Sequence, residues 1–256
     1  MGDPDMIHSF LLIGQSNAAG RGFFEEAKPL DTLGGRIKVQ RNGLWVPMFR
    51  PVNPDRSFSG TSLAEDFAHA YAEAHPDTEV GIIPCADGGT QISQWMPGEI
   101  LFDNALHCAR LALRTSALTG ILWHQGEGDC APDRHPLYRE RFIAVMTALR
   151  EALGMPDLPI LAGGLGDFLA LRSESPALAA NYGRINEALV SLEGTLPHYA
   201  FVSASGLSSN PDRLHFSAAA LREFGRRYFD AFRPFDTEDA PAAPNADTAR
   251  TELELL

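Results

Sequence analysis

Three cysteines in 256 residues are too few for a disulfide framework, and none has zinc-ligand spacing. Cys85 and Cys108 stand in apolar runs and read as small buried hydrophobes. No run approaches the roughly 20 apolar residues needed to cross a bilayer. The N-terminus, Met1-Gly2-Asp3-Pro4-Asp5, lacks the basic start of an export signal. These absences lead us to expect a protein of a reducing, cytoplasmic compartment. Positive charge is short as well: 21 Lys and Arg stand against 33 Asp and Glu, for a formal net charge of -12. An acidic surface repels nucleic acid and anionic membranes, so neither is expected as a partner.

Apolar residues are not short. At 45% of the chain they suffice for one large core. Four short apolar runs have the look of buried parallel strands: Phe10 to Ile13, Val80 to Pro84, Gly120 to Trp123 and Pro159 to Gly163. Residues 200–203 form a fifth, and 36–40 an early edge strand. Helical stripes fall between them, over 62–75, 99–114, 136–153 and 217–232. Ser62 with Glu65 makes a capping box for the first of these, and Ser217 a cap for the last. Alternating strands and helices predict an α/β domain with helices on both faces of a parallel sheet, spanning residues 1–235. Segments 20–60 and 84–99 read as long loops, which in a domain of this kind are usually functional. From Asp236 onward six acids face a single base, Arg250, and the composition is that of a disordered acidic tail.

The polar, glycine-rich segments follow the apolar runs directly. They are Gly14-Gln15-Ser16-Asn17, Asp87-Gly88-Gly89-Thr90 and His124-Gln125-Gly126-Glu127. A fourth, Asp212-Arg213-Leu214-His215, follows the last strand. In a parallel sheet all four arrive at the carboxyl edge, where such folds bind ligands. Together they hold the parts of a serine hydrolase. Ser16 is a hydroxyl at a strand-to-helix turn, His215 a base, and Asp212 a carboxylate three residues from it that can orient the ring. The Ser16 N–H, an N–H of Gly88 or Gly89 and the Gln125 amide are candidate donors to an oxyanion.

These four segments resemble the SGNH hydrolase superfamily, and within it the sialate O-acetylesterase and acetylxylan esterase branch. The likeness runs over about residues 7–232. It implies a three-layer α/β/α sandwich around a parallel, flavodoxin-like sheet, and removal of acetyl groups from carbohydrates with no cofactor or metal. It carries over Ser16 as nucleophile with Asp212 and His215 as its partners. Gln125 takes the place of the superfamily's usual third-block asparagine, as in this branch. Gly128 departs from it, since relatives commonly have serine there.

Each residue also has a plainer reading. Ser16 alone is a helix cap, His215 a surface histidine and Asp212 the start of a turn after Pro211. Glu127 reads as a buried acid bracing its loop or as a substrate contact. Asn17, Arg21 and Trp95 complete the candidate substrate contacts, but Arg21 also reads as a brace for the first loop, and Trp95 and Trp123 read first as packing residues, with Trp95 the better placed to stack on a sugar. Two alternatives stand beside the acetylesterase. One is an SGNH enzyme acting on a thioester or lipid ester, which would want an apolar acyl tunnel. The other is a non-catalytic module binding an anion or a carbohydrate. A helix N-terminus after a glycine-rich turn binds anions, but no Gly-Lys-Ser/Thr ending follows Gly14.

Overall fold

The apolar run at the start of the chain becomes the central strand of the sheet. In the computed structural model, which describes residues 6–236, β1 (Ile7–Gly14) pairs in parallel with β4 (Val80–Pro84) on one side and β5 (Ser116–His124) on the other. β6 (Ile160–Gly163) and β7 (Tyr199–Val202) continue beyond β5, also in parallel. On the far side, β2 (Ile37–Arg41) adds to β4 in parallel and folds back as an antiparallel hairpin with β3 (Leu44–Pro47). The sheet order is β3-β2-β4-β1-β5-β6-β7. Without the hairpin the remaining five strands keep the flavodoxin-like order, with neighbouring connections diverging on either side of β1.

The strands alternate faces, and each face meets its own helices. Leu11, Ile13, Ile121, Trp123 and Ile160 pack with α3 (Ile100–Ala112), α4 (Tyr138–Leu153) and α5 (Pro176–Val190). Phe10, Leu12, Ile82, Leu122 and Leu161 pack with α1 (Ser16–Ala19), α2 (Leu63–Ala74) and α6 (Ala218–Phe232). The result is the expected three-layer sandwich. On the second face Phe10 meets Phe67, Tyr71 and Phe232 edge to face, with centroids 4.7, 5.0 and 5.3 Å away.

The expected helix caps are present. Ser62 Oγ accepts the Ala64 N–H at 3.3 Å while Glu65 Oε1 accepts the Ser62 N–H at 3.1 Å. Ser217 Oγ accepts from Ala220 N at 3.2 Å. Two elements go beyond the sequence expectation: β3, inside the stretch read as loop, and α5, whose buried stripe is only Leu178, Ile185 and Leu189. Beyond Asp236 itself, the tail proposed for 236–256 lies outside the described residues. No helix among the described residues is long and apolar enough to cross a membrane.

Register brings the polar segments together. Leu12 pairs with Pro84 and Gly14 with His124, so β1, β4 and β5 end at one edge. Gly14 is required there. Its φ is 126°, and a Cβ would stand 2.1 Å from the His124 carbonyl oxygen. A side chain at that position would force β1 and β5 apart just where Ser16 emerges.

Candidate active site

Ser16 begins the four-residue helix α1, only 7% exposed. Its Oγ lies 3.0 Å from His215 Nε2. His215 Nδ1 lies 2.6 Å from Asp212 Oδ2. The local chain builds this carboxylate–imidazole pair. Arg213 has φ 51°, which turns the backbone between the two residues. Asp212 Oδ1 accepts the N–H groups of Leu214 at 2.9 Å and His215 at 3.0 Å, leaving Oδ2 for the ring. Asn210 N–H closes the loop on the His215 carbonyl at 2.7 Å. Burial opposes the charge on Asp212. The two backbone N–H groups and the His215 ring outweigh it, and its pKa lies below the ordinary carboxylate value.

The donors expected for an oxyanion separate into free and committed groups. No acceptor is found among the described residues for the N–H of Ser16 or of Gly89. Gly88 N–H is committed to Asp55 Oδ2 at 2.9 Å. Of the two glycines, Gly89 therefore has the available donor.

Gln125 does not have one. It is fully buried, and its Nε2 faces three acceptors: Asp129 Oδ2 at 2.6 Å, Thr90 O at 3.0 Å and Gln15 Oε1 at 3.2 Å. An amide with two hydrogens has nothing left for a substrate. The expectation that Gln125 reaches the reacting oxygen is corrected on this ground. The neighbouring Gln15 is held differently. Its Oε1 accepts from Gln125 Nε2 and from the N–H groups of Gly126 and Gly128, at 3.3 and 3.2 Å. A carbonyl held this way turns the NH2 end outward. Gln15 Nε2 has no partner among the described residues, is not sealed from solvent, and belongs to a residue lining the cleft. Gly128 has no room for a side chain, because a Cβ there would meet the Thr90 carbonyl at 2.5 Å.

The cleft is open, holds about 400 Å³ and is lined by Ser16, His215, Gln15, Gly89, Phe58 and Arg172, among others. Arg21 lines it too, but is 5% exposed and bound in a bidentate pair to Asp55, at 3.0 and 2.7 Å. It braces the site more than it offers itself to a ligand. Trp95 is not in the cleft. It is 1% exposed, packs edge to face on Trp123 and donates from Nε1 to Thr90 Oγ1 at 3.1 Å. Trp95 is thus a packing residue, as its plainer reading has it, and not a platform for a sugar; the exposed aromatic in the cleft is Phe58, at 67%. Asn17, expected as a substrate contact, and Glu127, read as a bracing acid or a substrate contact, bond to each other at 2.5 Å.

Residues 53–56, inside the stretch expected as loop, brace the segment that carries Gly88 and Gly89. Asn53 exchanges two hydrogen bonds with the backbone of Ala86, both at 2.9 Å. Arg56 donates to Asp87 Oδ1 at 2.8 Å and to the Gly88 carbonyl at 2.9 Å. Asp55 takes the Gly88 N–H and the Ser59 hydroxyl besides Arg21. Burial works against the Asp55 carboxylate, but Arg21, Ser59 and Gly88 more than offset it and its pKa lies low. Polar residues with Asn-Pro-Asp-Arg spacing beside a glycine turn were the available signal.

Residues 6–234 match the family described as carbohydrate esterase, sialic acid-specific acetylesterase. The chain belongs to that family. It is a carbohydrate esterase, a hydrolase that removes O-acetyl groups. It is 27% identical to the probable carbohydrate esterase At4g34215 of Arabidopsis thaliana, over 90% of each chain. The crystal structure of that protein superposes with a TM-score of 0.77, covering 89% of this chain and 98% of the other. Two further solved structures share the fold. NanS does so at 19% identity and a TM-score of 0.73, over 92% of this chain and 99% of its own. The carbohydrate acetylesterase XAC1771 from Xanthomonas citri does so at 21% and 0.64, over 88% of this chain and 55% of its own.

Proposed function

We propose that this esterase works by acyl transfer through Ser16, with His215 as base and Asp212 as its orienting carboxylate. The unbroken line from Asp212 Oδ2 to His215 to Ser16 Oγ, at 2.6 and 3.0 Å on the cleft wall, supports it. Ser16 Oγ attacks the acetyl carbon while His215 Nε2 takes its proton, and the carbonyl electron pair moves onto oxygen. That oxygen is met by the N–H groups of Ser16 and Gly89 and by Gln15 Nε2. Collapse breaks the bond to the sugar oxygen, which leaves as the alcohol with the proton from His215. Water then repeats the sequence on the acetyl-serine and releases acetate. Ser16→Ala is expected to lose nearly all turnover of an acetyl ester, and a serine-directed organophosphonate to label Ser16. Label on another residue, or turnover kept by the variant, contradicts the assignment.

For the alcohol we favour an acidic sugar, in line with the family's sialic acid description. Arg172 lines the cleft and pairs with no carboxylate among the described residues. Its Nε donates to Ser175 Oγ at 3.3 Å, and one Nη to the Asp212 carbonyl. Hydrolysis of an O-acetylated sialic acid should exceed that of an acetylated xylan fragment in kcat/KM. Equal values would remove the acidic-sugar preference and leave the esterase assignment untouched.

A further inference from the structure

Asn17 follows the nucleophile in α1, yet it is turned away from the cleft and is 1% exposed. Every hydrogen-bonding atom of its amide group is used. Nδ2 donates to Glu127 Oε1 at 2.5 Å and to the Leu214 carbonyl at 3.2 Å. Oδ1 accepts the Phe216 N–H at 3.1 Å. Leu214 and Phe216 are the two neighbours of His215. One side chain on the serine's own helix thus grips the backbone on both sides of the base.

Glu127 decides which way that amide faces. Its side chain is 4% exposed, and it has only acceptors to offer when ionised. Flipping Asn17 would point oxygen at the carboxylate and NH2 at the Phe216 N–H, breaking all three bonds. His124 Nδ1, 4.0 Å from Oε1, is beyond hydrogen-bond reach, and the other carboxylate oxygen is buried with no partner among the described residues.

We propose that Asn17 and Glu127 form a positioning clamp that sets the separation of Ser16 and His215, rather than contacting substrate. The proposal rests on the Ser16–His215 reading of the site. During acyl transfer the imidazole serves the serine oxygen and then the leaving alcohol, so its placement must hold through both. A misplacement of about 1 Å can cost about a hundred-fold in rate.

A hydrogen-bond swap tests the clamp. Asn17→Asp sets two carboxylates against each other and should cut kcat at least about thirty-fold, with KM within about two-fold. Adding Glu127→Gln supplies a donor to the new carboxylate, so the double variant should recover at least about five-fold in kcat over Asn17→Asp. Glu127→Gln alone keeps an acceptor for Asn17 and should lose little. No recovery in the double variant overturns the clamp, as does a rise in KM with kcat preserved, which would make these residues substrate contacts. If Asn17→Asp fails to fold, Glu127→Ala asks the same question, since it frees the amide to rotate. A fall in kcat at constant KM supports the clamp, and a KM effect alone overturns it. Ser16→Ala separates the two levels. Turnover kept by that variant refutes the underlying site, whereas an inactive Ser16→Ala beside an unrecovered double variant refutes the clamp alone.

Discussion

Two glutamines separated by 110 positions share one amide–carbonyl contact, and its direction assigns their roles. Gln125 spends its hydrogens on Asp129, Thr90 and Gln15, so it orients Gln15, and Gln15 presents the free NH2. Gln15→Ala should lower kcat by about a hundred- to a thousand-fold, as loss of one oxyanion donor does elsewhere. Gln125→Ala should also lower it. Because Gln125 works through Gln15, the double variant should be no slower than Gln15→Ala alone. Steady-state kinetics on an acetyl ester decide the matter, and additive losses would return Gln125 to the reacting oxygen. Gln125 stands out in the sequence because its segment follows β5 and resembles the family's third block. That places the backbone, but not the direction in which each amide donates. The same limit applies to Trp95. Its position near the site was readable, whereas its burial against Trp123 depends on the fold of the 84–99 loop.

Regular elements with a strong period were legible, and those without one were not. The runs at 10–13, 80–84, 120–123 and, but for Pro159, 159–163 lie in strands, because a strand buried on both faces must be apolar throughout. β2 and β3 were half read. Asn42-Gly43, with φ of 51° and 76°, is the turn that joins them, and this dipeptide is a strong hairpin signal. α5 has three buried positions in fifteen residues, and a glycine at 183 weakens the pattern further. The 53–56 loop has no period at all. Its order comes from side chains that bond to the 86–88 backbone, which no periodicity reports. That loop should carry a large share of local stability. The Arg21–Asp55 pair is 4% exposed on both sides. Removing one partner of such a pair strands the other and costs about 3–5 kcal/mol. Asp55→Ala should therefore lower the thermal midpoint by roughly 6–20 °C in a chain of this size. It should also reduce kcat, because Gly88 N–H loses its anchor beside the Gly89 donor. Differential scanning calorimetry with parallel kinetics tests both, and an unchanged midpoint would show that the loop is held by Asn53 and Arg56 instead.

For the molecule as a whole, one topological fact assembles the site: parallel strands that end at a common edge bring residues 16, 89, 125 and 215 together. The same edge also buries charge, and this gives stability a pH dependence whose sign follows from the structure. Asp129 is fully buried, and one of its oxygens has no partner. Burial raises its pKa, and the Gln125 amide and Ile92 N–H only partly offset that effect. A carboxyl with a raised pKa in the folded state binds its proton more tightly there than in the unfolded chain. Its contribution therefore favours folding at low pH and turns against folding as pH rises through the folded-state value. Asp129→Asn keeps an oxygen for Ile92 and Gln125 but removes the ionisation. The midpoint of the variant relative to the wild type should then climb as pH increases from 4 to 8. Each tenfold in proton affinity contributes about 1.4 kcal/mol, or roughly 3–6 °C. Melting curves of both proteins at several pH values supply the test. A difference that stays flat with pH would mean that Asp129 remains ionised in the fold at no cost, with a solvating partner at its second oxygen.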